Sequence, residues 1–247
     1  MSGLWLAIRY LTILPVPVSA GRRTLPPGRA AGWFPLVGLA LGALIAAVDG
    51  LAVQCFAPLV SAVLTVTVWK VATGGLHLDG LADCLDGLMG RDRDQRLAIM
   101  RDSRIGTFGA LGLVLFLALE IAAVAESPPA FRWRLLVTAP AVGRAVPAVL
   151  ARLFGAARPE GQGAAFVTSV RVSATVIALA GAALVATAVL GARGAVAAAL
   201  AVVVAIGVAW FFARRLGGVT GDVLGAAIET TEVIVILAVL AWLGARA

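Results

Sequence analysis

The dominant signal along the chain is a series of long apolar runs separated by short polar stretches. The runs cover Gly32–Phe56, Ala57–Val71, Phe108–Ala125, Leu135–Leu150, Val172–Leu190, Ala195–Phe212 and Val223–Leu243. Several reach the roughly 20 residues that a helix needs to cross a bilayer core. Ala57–Val71 and Leu135–Leu150 are shorter and need their flanks to span. The pattern predicts an all-α, polytopic helical transmembrane bundle of about seven spans, within a range of six to eight. Ala, Gly and Val dominate the runs, and such small residues let helices approach closely in lipid. Leu4–Leu14 is apolar but short, carries Arg9 and runs into Pro15 and Pro17. It lacks the positive n-region and small-residue cleavage site of a secretory signal. It reads as an interfacial or re-entrant helix, with an eighth span as the alternative. There is no soluble module, internal repeat or low-complexity tail, so residues 1–247 read as a single integral membrane domain.

Composition agrees with this. Of 247 residues, 61% are hydrophobic and 13% charged, where a soluble domain carries about a quarter charged. The formal net charge is +7, but the placement of the arginines points to topology, not to nucleic acid. If seven spans alternate, 13 basic residues fall in loops on one side, among them Arg22, Arg29, Arg91, Arg158 and Arg214. The other side holds four: Arg132, Arg134, Arg193 and Arg246. The positive-inside rule makes the first side cytoplasmic. Nucleic acid is not expected as a partner, because these arginines are neither interleaved with aromatics nor set on a soluble module. Cys55 and Cys84 fall on opposite sides, which argues against a disulfide.

The scarce polar chemistry is concentrated. "GGLHLDGLADCLDGLMG", residues 74–90, holds the only histidine, His77, and three carboxylates, Asp79, Asp83 and Asp86. Their i, i+4, i+7 spacing puts all three on one face of a helix. Three crowded carboxylates repel one another and call for a cation. Hard oxygen ligands suit Mg²⁺, which typically takes one or two carboxylates together with substrate phosphate oxygens. A solvated acidic loop would not need the alternating Leu76, Leu78, Leu81, Leu85 and Leu88. The pattern reads as a helix at the membrane edge with its acidic side toward a cavity. His77 is a candidate base, phosphate donor or supporting group.

The next stretch reverses the sign. Arg101 and Arg104 flank Ser103 in "MRDSRIGTFG", and arginine forks suit phosphate. A second acidic patch holds Asp222, Glu229 and Glu232 and runs into an apolar segment. Arg144 and Glu120 also lie inside apolar runs, where an ionisable residue is expensive and marks function; Glu120 receives no role. "PEGQGAAF", residues 159–166, reads as a glycine-rich loop able to cover a substrate.

Five stretches, "FPLVGLALG" (34–42), "GGLHLDGLADCLDGL" (74–88), "MRDSRIGTFG" (100–109), "EGQGAAF" (160–166) and "GGVTGDVLGAAIETTE" (217–232), resemble in order and spacing the signatures of the cobalamin synthase family, the adenosylcobinamide-GDP ribazoletransferases. The resemblance runs from about residue 3 to 243. Two departures stand out: Cys84 and Leu85 interrupt a motif that usually reads close to "GLADTADG", and Gln162 stands within the usual "EGLG". The resemblance implies a Mg²⁺-dependent membrane transferase of the bacterial inner membrane, acting in contact with membrane lipid. It implies joining of adenosylcobinamide-GDP to α-ribazole or its 5′-phosphate, with loss of GMP. On that reading Asp79, Asp83 and Asp86 hold Mg²⁺ across the diphosphate. Asp222, with Glu229 or Glu232, completes the metal site or binds the corrin amides. Arg101, Ser103, Arg104 and Arg144 contact phosphate, and His77 or a free aspartate accepts the proton of an attacking 5′-hydroxyl. For the 5′-phosphate acceptor the nucleophile stays open. Docking of neighbouring cobalamin-pathway enzymes to the cytoplasmic loops is a further expectation. The residues alone leave two alternatives. One is another Mg²⁺-dependent diphosphate transferase with two acidic patches, of the prenyltransferase kind. The other is a transporter lined by Arg144, Glu229 and Glu232.

Overall fold

The structure, a computed structural model, describes residues 3–16 and 25–244. Arg22 and Arg246 of the charge-topology argument therefore lie outside the described residues. The described chain is helical: α1 (Gly3–Leu11), α2 (Phe34–Cys55), α3 (Pro58–Ala72), α4 (Leu76–Gly87), α5 (Arg93–Ile99), α6 (Thr107–Glu126), α7 (Pro129–Leu153), α8 (Gln162–Ser169), α9 (Val172–Leu190), α10 (Ala192–Leu216) and α11 (Gly221–Gly244). A 3-10 segment, Pro27–Trp33, leads into α2. Six of these segments are long and apolar enough to cross a membrane, and α3 with α4 forms a bent pair, a broken span or a re-entrant loop. Six to seven candidate spans bear out the expectation of a polytopic helical bundle of about seven, within a range of six to eight. At nine residues, α1 is about 14 Å long and too short to be an eighth span.

The bend is built into the sequence. Gly74 and Gly75 both adopt left-handed backbone, φ 65° and 67°, which costs little only without a Cβ. They end α3 and send α4 off at 89°. α3 has 15 residues, about 22 Å of helix, short of a bilayer core of about 30 Å. α3 alone thus falls short of a full span, and α4 turns across its end rather than continuing it.

α7 is the central post. Nearly all of its apolar window is buried, as expected of a helix surrounded by others. The "FPLVGLALG" stretch explains how α2 reaches it. A Cβ on Gly38 would strike the Pro140 carbonyl, and one on Gly42 would lie 2.7 Å from the Leu136 carbonyl oxygen. This is close small-residue packing at four-residue spacing. Large apolar side chains left exposed, such as Leu51, Val114, Leu184 and Val203, belong to the outward faces of these helices, where lipid covers them.

α7 begins earlier than the sequence suggested, at Pro129. Arg132 is not a loop charge but is buried in the first turn of α7. Its Nη1 lies 3.2 Å from Asp49 Oδ1 and 3.3 Å from Ser61 Oγ, while its Nη2 donates to the Ala125 carbonyl at 3.1 Å. Thr65 donates to the same Asp49 oxygen at 3.1 Å. This knot ties α2, α3, α6 and α7 together at the end of the bundle opposite α4. Cys55, exposed at the end of α2, and Cys84, buried on α4, are both free thiols.

Candidate functional site

At the α4 end the helix termini and connecting loops converge. Ala156 and Val219 form a short parallel bridge, with Ala157 N–H donating to the Val219 carbonyl at 2.9 Å. α4 packs directly on α11. A Cβ on Gly80 would lie 2.9 Å from Asp222 Cα, and one on Gly225 would lie 3.2 Å from His77 Cα. These contacts bring the first acidic stretch against the start of the second. Between them opens a pocket of about 330 Å³ lined, among others, by Tyr10, His77, Asp79, Arg158, Glu160 and Asp222. The glycine-rich loop Gly161–Gly163 forms part of its wall. Tyr10 and Phe166, both lining the pocket, stack at 5.6 Å, and each stacks on Phe34.

The expected acidic triad is divided by the fold. Asp79 is exposed and Asp83 half-buried. Asp86 is buried and faces α6 instead: it accepts N–H bonds from Gly106 and Gly109, both at 2.7 Å. It thus caps the N-terminus of α6, whose dipole favours a carboxylate. Cβ atoms on Gly106 or Gly109 would collide with it, which accounts for the glycines of "RIGTFG". Asp222, on α11, lies close enough to Asp83 for its charge to be felt there, as Asp79 does on α4. Burial, reinforced by Asp79, Asp222 and Asp86 and opposed by Arg158, pushes the Asp83 carboxyl up to about 7. Asp222 Oδ2 is buried without a hydrogen-bond partner among the described residues, and its nearest cation is Arg158 Nη2 at 4.0 Å.

Glu229, Glu232 and Arg144 are not in the pocket wall. They lie beneath it in a dry cluster on α3, α6, α7 and α11. The Lys70 ammonium is 2.8 Å from Glu120, 2.6 Å from Glu229 and 3.7 Å from Glu232, and Arg144 pairs with Glu232. All five are buried. Among the described residues, Glu120, Glu229 and Glu232 are the one trio of ligand-type groups that converges within 4.8 Å. The ammonium of Lys70 already occupies that place, so this is an ion-pair core and not a second metal patch. His77 lies in the pocket wall, 3% exposed, with Nδ1 lacking a hydrogen-bond partner among the described residues.

Among the basic candidates, Arg104 points to the surface and is paired with Asp102 at 2.6 Å. The hydrogen bonds from Arg104 hold the Asp102 carboxyl down at about 2. Ser103 is exposed and lines neither cavity at this face. Arg101 lines a smaller neighbouring hollow. Arg158, which sequence alone marked only as a topology charge, sits between the two. Its position immediately before the Pro159–Gly163 loop was the available clue. Lys70 was missed as well, although it is the sole lysine of the chain and stands inside an apolar run.

Comparison with known proteins bears on this arrangement. A family model described as cobalamin-5-phosphate synthase matches residues 3–240. The chain is 42% identical to an adenosylcobinamide-GDP ribazoletransferase of Klebsiella pneumoniae over 95% of this chain and 97% of that relative. It is 40% identical to one of Escherichia coli K12, over 96% and 98%, and 36% identical to one of Geotalea daltonii, over 96% of each. No solved structure matches. The match across nearly the whole length places this chain in the cobalamin-5-phosphate synthase family.

Proposed function

We propose that the protein transfers the adenosylcobinamide phosphoryl group of adenosylcobinamide-GDP to an α-ribazole acceptor, releasing GMP. The observation that carries this reading is the meeting of Asp79, Asp222 and Arg158 in one pocket wall, with Asp83 close by on α4, in a chain related along its length to enzymes named for that reaction. The bond formed joins a ribose oxygen to the phosphorus nearer the corrinoid. The bond broken is that phosphorus to the bridging oxygen, which leaves with GMP.

The family description supplies a constraint on the nucleophile. A product that keeps a phosphate on its 5′ position cannot arise by attack of the 5′ oxygen. The attacking group is therefore another ribose hydroxyl, and the 5′-hydroxyl expected from sequence is set aside for the phosphorylated acceptor. His77, which lines the pocket, is the candidate to take the proton of that hydroxyl.

The donors fit Mg²⁺. Asp222 presents a buried carboxylate oxygen without a donor, and the Asp83 carboxyl lies close to it on α4. Asp79, Asp83 and Asp222 form no closed protein cage, as suits an ion that completes its shell with substrate phosphate and water. Bound there, Mg²⁺ would neutralise charge developing on the diphosphate. Arg158, beside Asp222, holds a phosphate oxygen, and Gly161 and Gly163 let the backbone approach. Asp86 holds the α6 end of α4 in place rather than a metal. The second acidic patch is neutralised from within by Lys70 and Arg144, which disfavours a prenyltransferase-like pair of metal patches. The same closed ion-pair core disfavours a transport path. The loop arginines favour a cytoplasmic mouth in a bacterial inner membrane.

The test is to supply vesicles holding the protein with adenosylcobinamide-GDP, α-ribazole 5′-phosphate and Mg²⁺, and to separate the products. GMP and phosphorylated cobalamin in equal amounts are expected. Release of inorganic diphosphate instead of GMP would defeat the proposal.

A further inference from the structure

Beside the main pocket lies a second hollow of about 280 Å³, with Arg93, Asp94, Leu97, Arg101, Ala157 and Arg158 in its walls. Arg158 borders both spaces. Its Nη2 donates to the Leu97 carbonyl at 3.1 Å and stands 4.0 Å from Asp222 Oδ2, while its Nε is buried without a partner.

The three arginines are not equivalent. Arg93 is engaged in the fold. It donates to the Leu216 carbonyl at 2.8 Å and the Ala157 carbonyl at 2.7 Å, and pairs with Asp94 at 3.0 Å. That pairing also uses the one carboxylate in the wall. The Arg101 guanidinium has no hydrogen bond or ion pair among the described residues. It lines the same hollow as Arg158. Two guanidinium groups lining one hollow make it a favourable place for an anion.

The reaction leaves one anion without a seat. The 5′-phosphate of the acceptor is neither made nor broken in the transfer, yet it is carried on the ribose whose hydroxyl attacks. It must therefore rest one sugar away from the diphosphate. The second hollow adjoins the transfer site, with Arg158 in the wall of both. We propose that this hollow seats a ribose phosphomonoester, that of the acceptor, between Arg101 and Arg158. The proposal rests on the transferase reading above. The other source of the same chemistry is the phosphate of the leaving nucleotide. Arg158 serves both spaces, so Arg101 is the residue that discriminates.

The experiment measures GMP release by the detergent-solubilised protein with α-ribazole 5′-phosphate and with unphosphorylated α-ribazole. It compares the wild type, Arg101→Gln, Arg101→Lys and, as a control of loop charge outside the hollow, Arg91→Gln. Arg101→Gln is expected to lower the ratio of kcat/KM for the phosphorylated over the unphosphorylated acceptor by roughly tenfold or more, mainly through KM. Arg101→Lys restores part of it, and Arg91→Gln leaves the ratio in place. An equal loss with both acceptors assigns the hollow to the donor nucleotide and overturns the proposal, as does an unchanged ratio. Should Arg101→Gln not fold, the wild type alone decides. Ribose 5-phosphate is expected to compete with the phosphorylated acceptor where ribose does not, and equal or absent inhibition by the two overturns it. Absence of GMP release from the wild type with either acceptor would instead refute the transferase reading itself.

Discussion

Lys70→Met removes the ammonium that three buried carboxylates share. In the native cluster Glu120, Glu229 and Glu232 face Lys70 and Arg144, so full ionisation leaves one uncompensated negative charge. Without Lys70 it leaves two, around groups that water does not reach. Removing one partner of a buried pair typically costs about 3–5 kcal/mol. For a chain of this size each kcal/mol moves Tm by about 2–4 °C, so the expected fall is about 6–20 °C. Glu120→Gln supplies the contrast. It brings the fully ionised cluster to neutrality while keeping a side-chain acceptor near the ammonium, so its cost should stay within about 1 kcal/mol. The assay is a thermal ramp of the detergent-solubilised protein, reading the surviving monodisperse fraction. A fall for Lys70→Met of less than about 2 °C, or an equal fall for Glu120→Gln, would refute the ion-pair core.

Two further outcomes follow from the packing. Gly80→Ala sets a methyl against the Asp222 backbone at 2.8–2.9 Å. It should separate α4 from α11 and reduce GMP release by about tenfold or more, while circular dichroism keeps its helical signal; wild-type turnover would show that this contact does not set the site. Asp86→Asn replaces a charged acceptor of two backbone N–H groups and should cost about 1.5–3 kcal/mol, seen as a lower Tm with turnover per folded molecule retained. Abolished turnover at an unchanged Tm would return Asp86 to the chemistry.

What was legible in the sequence, and what was not, divides by range. Helix positions follow from local composition, and the runs from Phe108, Val172 and Val223 fall on α6, α9 and α11 with end shifts of a few residues. α7 was under-read because Arg132 looks like a loop charge when its partner, Asp49, is 83 residues away. The i, i+4 relation of Asp79 and Asp83 survives because it is local to α4. Asp86 shares that periodicity but meets the N-terminus of α6, which no local pattern announces. Glu229 and Glu232 were legible as ionisable groups in an apolar run, but their cation, Lys70, lies on another helix. Arg158 was hidden because a loop arginine satisfies the positive-inside pattern whether or not it also faces a pocket.

The most direct measurement of the central claim is the Mg²⁺ dependence of GMP release from adenosylcobinamide-GDP by the wild type, Asp222→Asn and Asp86→Asn. If Asp79, Asp83 and Asp222 hold the ion, Asp222→Asn raises the half-maximal Mg²⁺ concentration by about tenfold or more. Asp86→Asn, which weakens a helix cap, leaves it where it is in the wild type. A wild-type Mg²⁺ curve for Asp222→Asn, with the shift appearing in Asp86→Asn instead, would contradict the account.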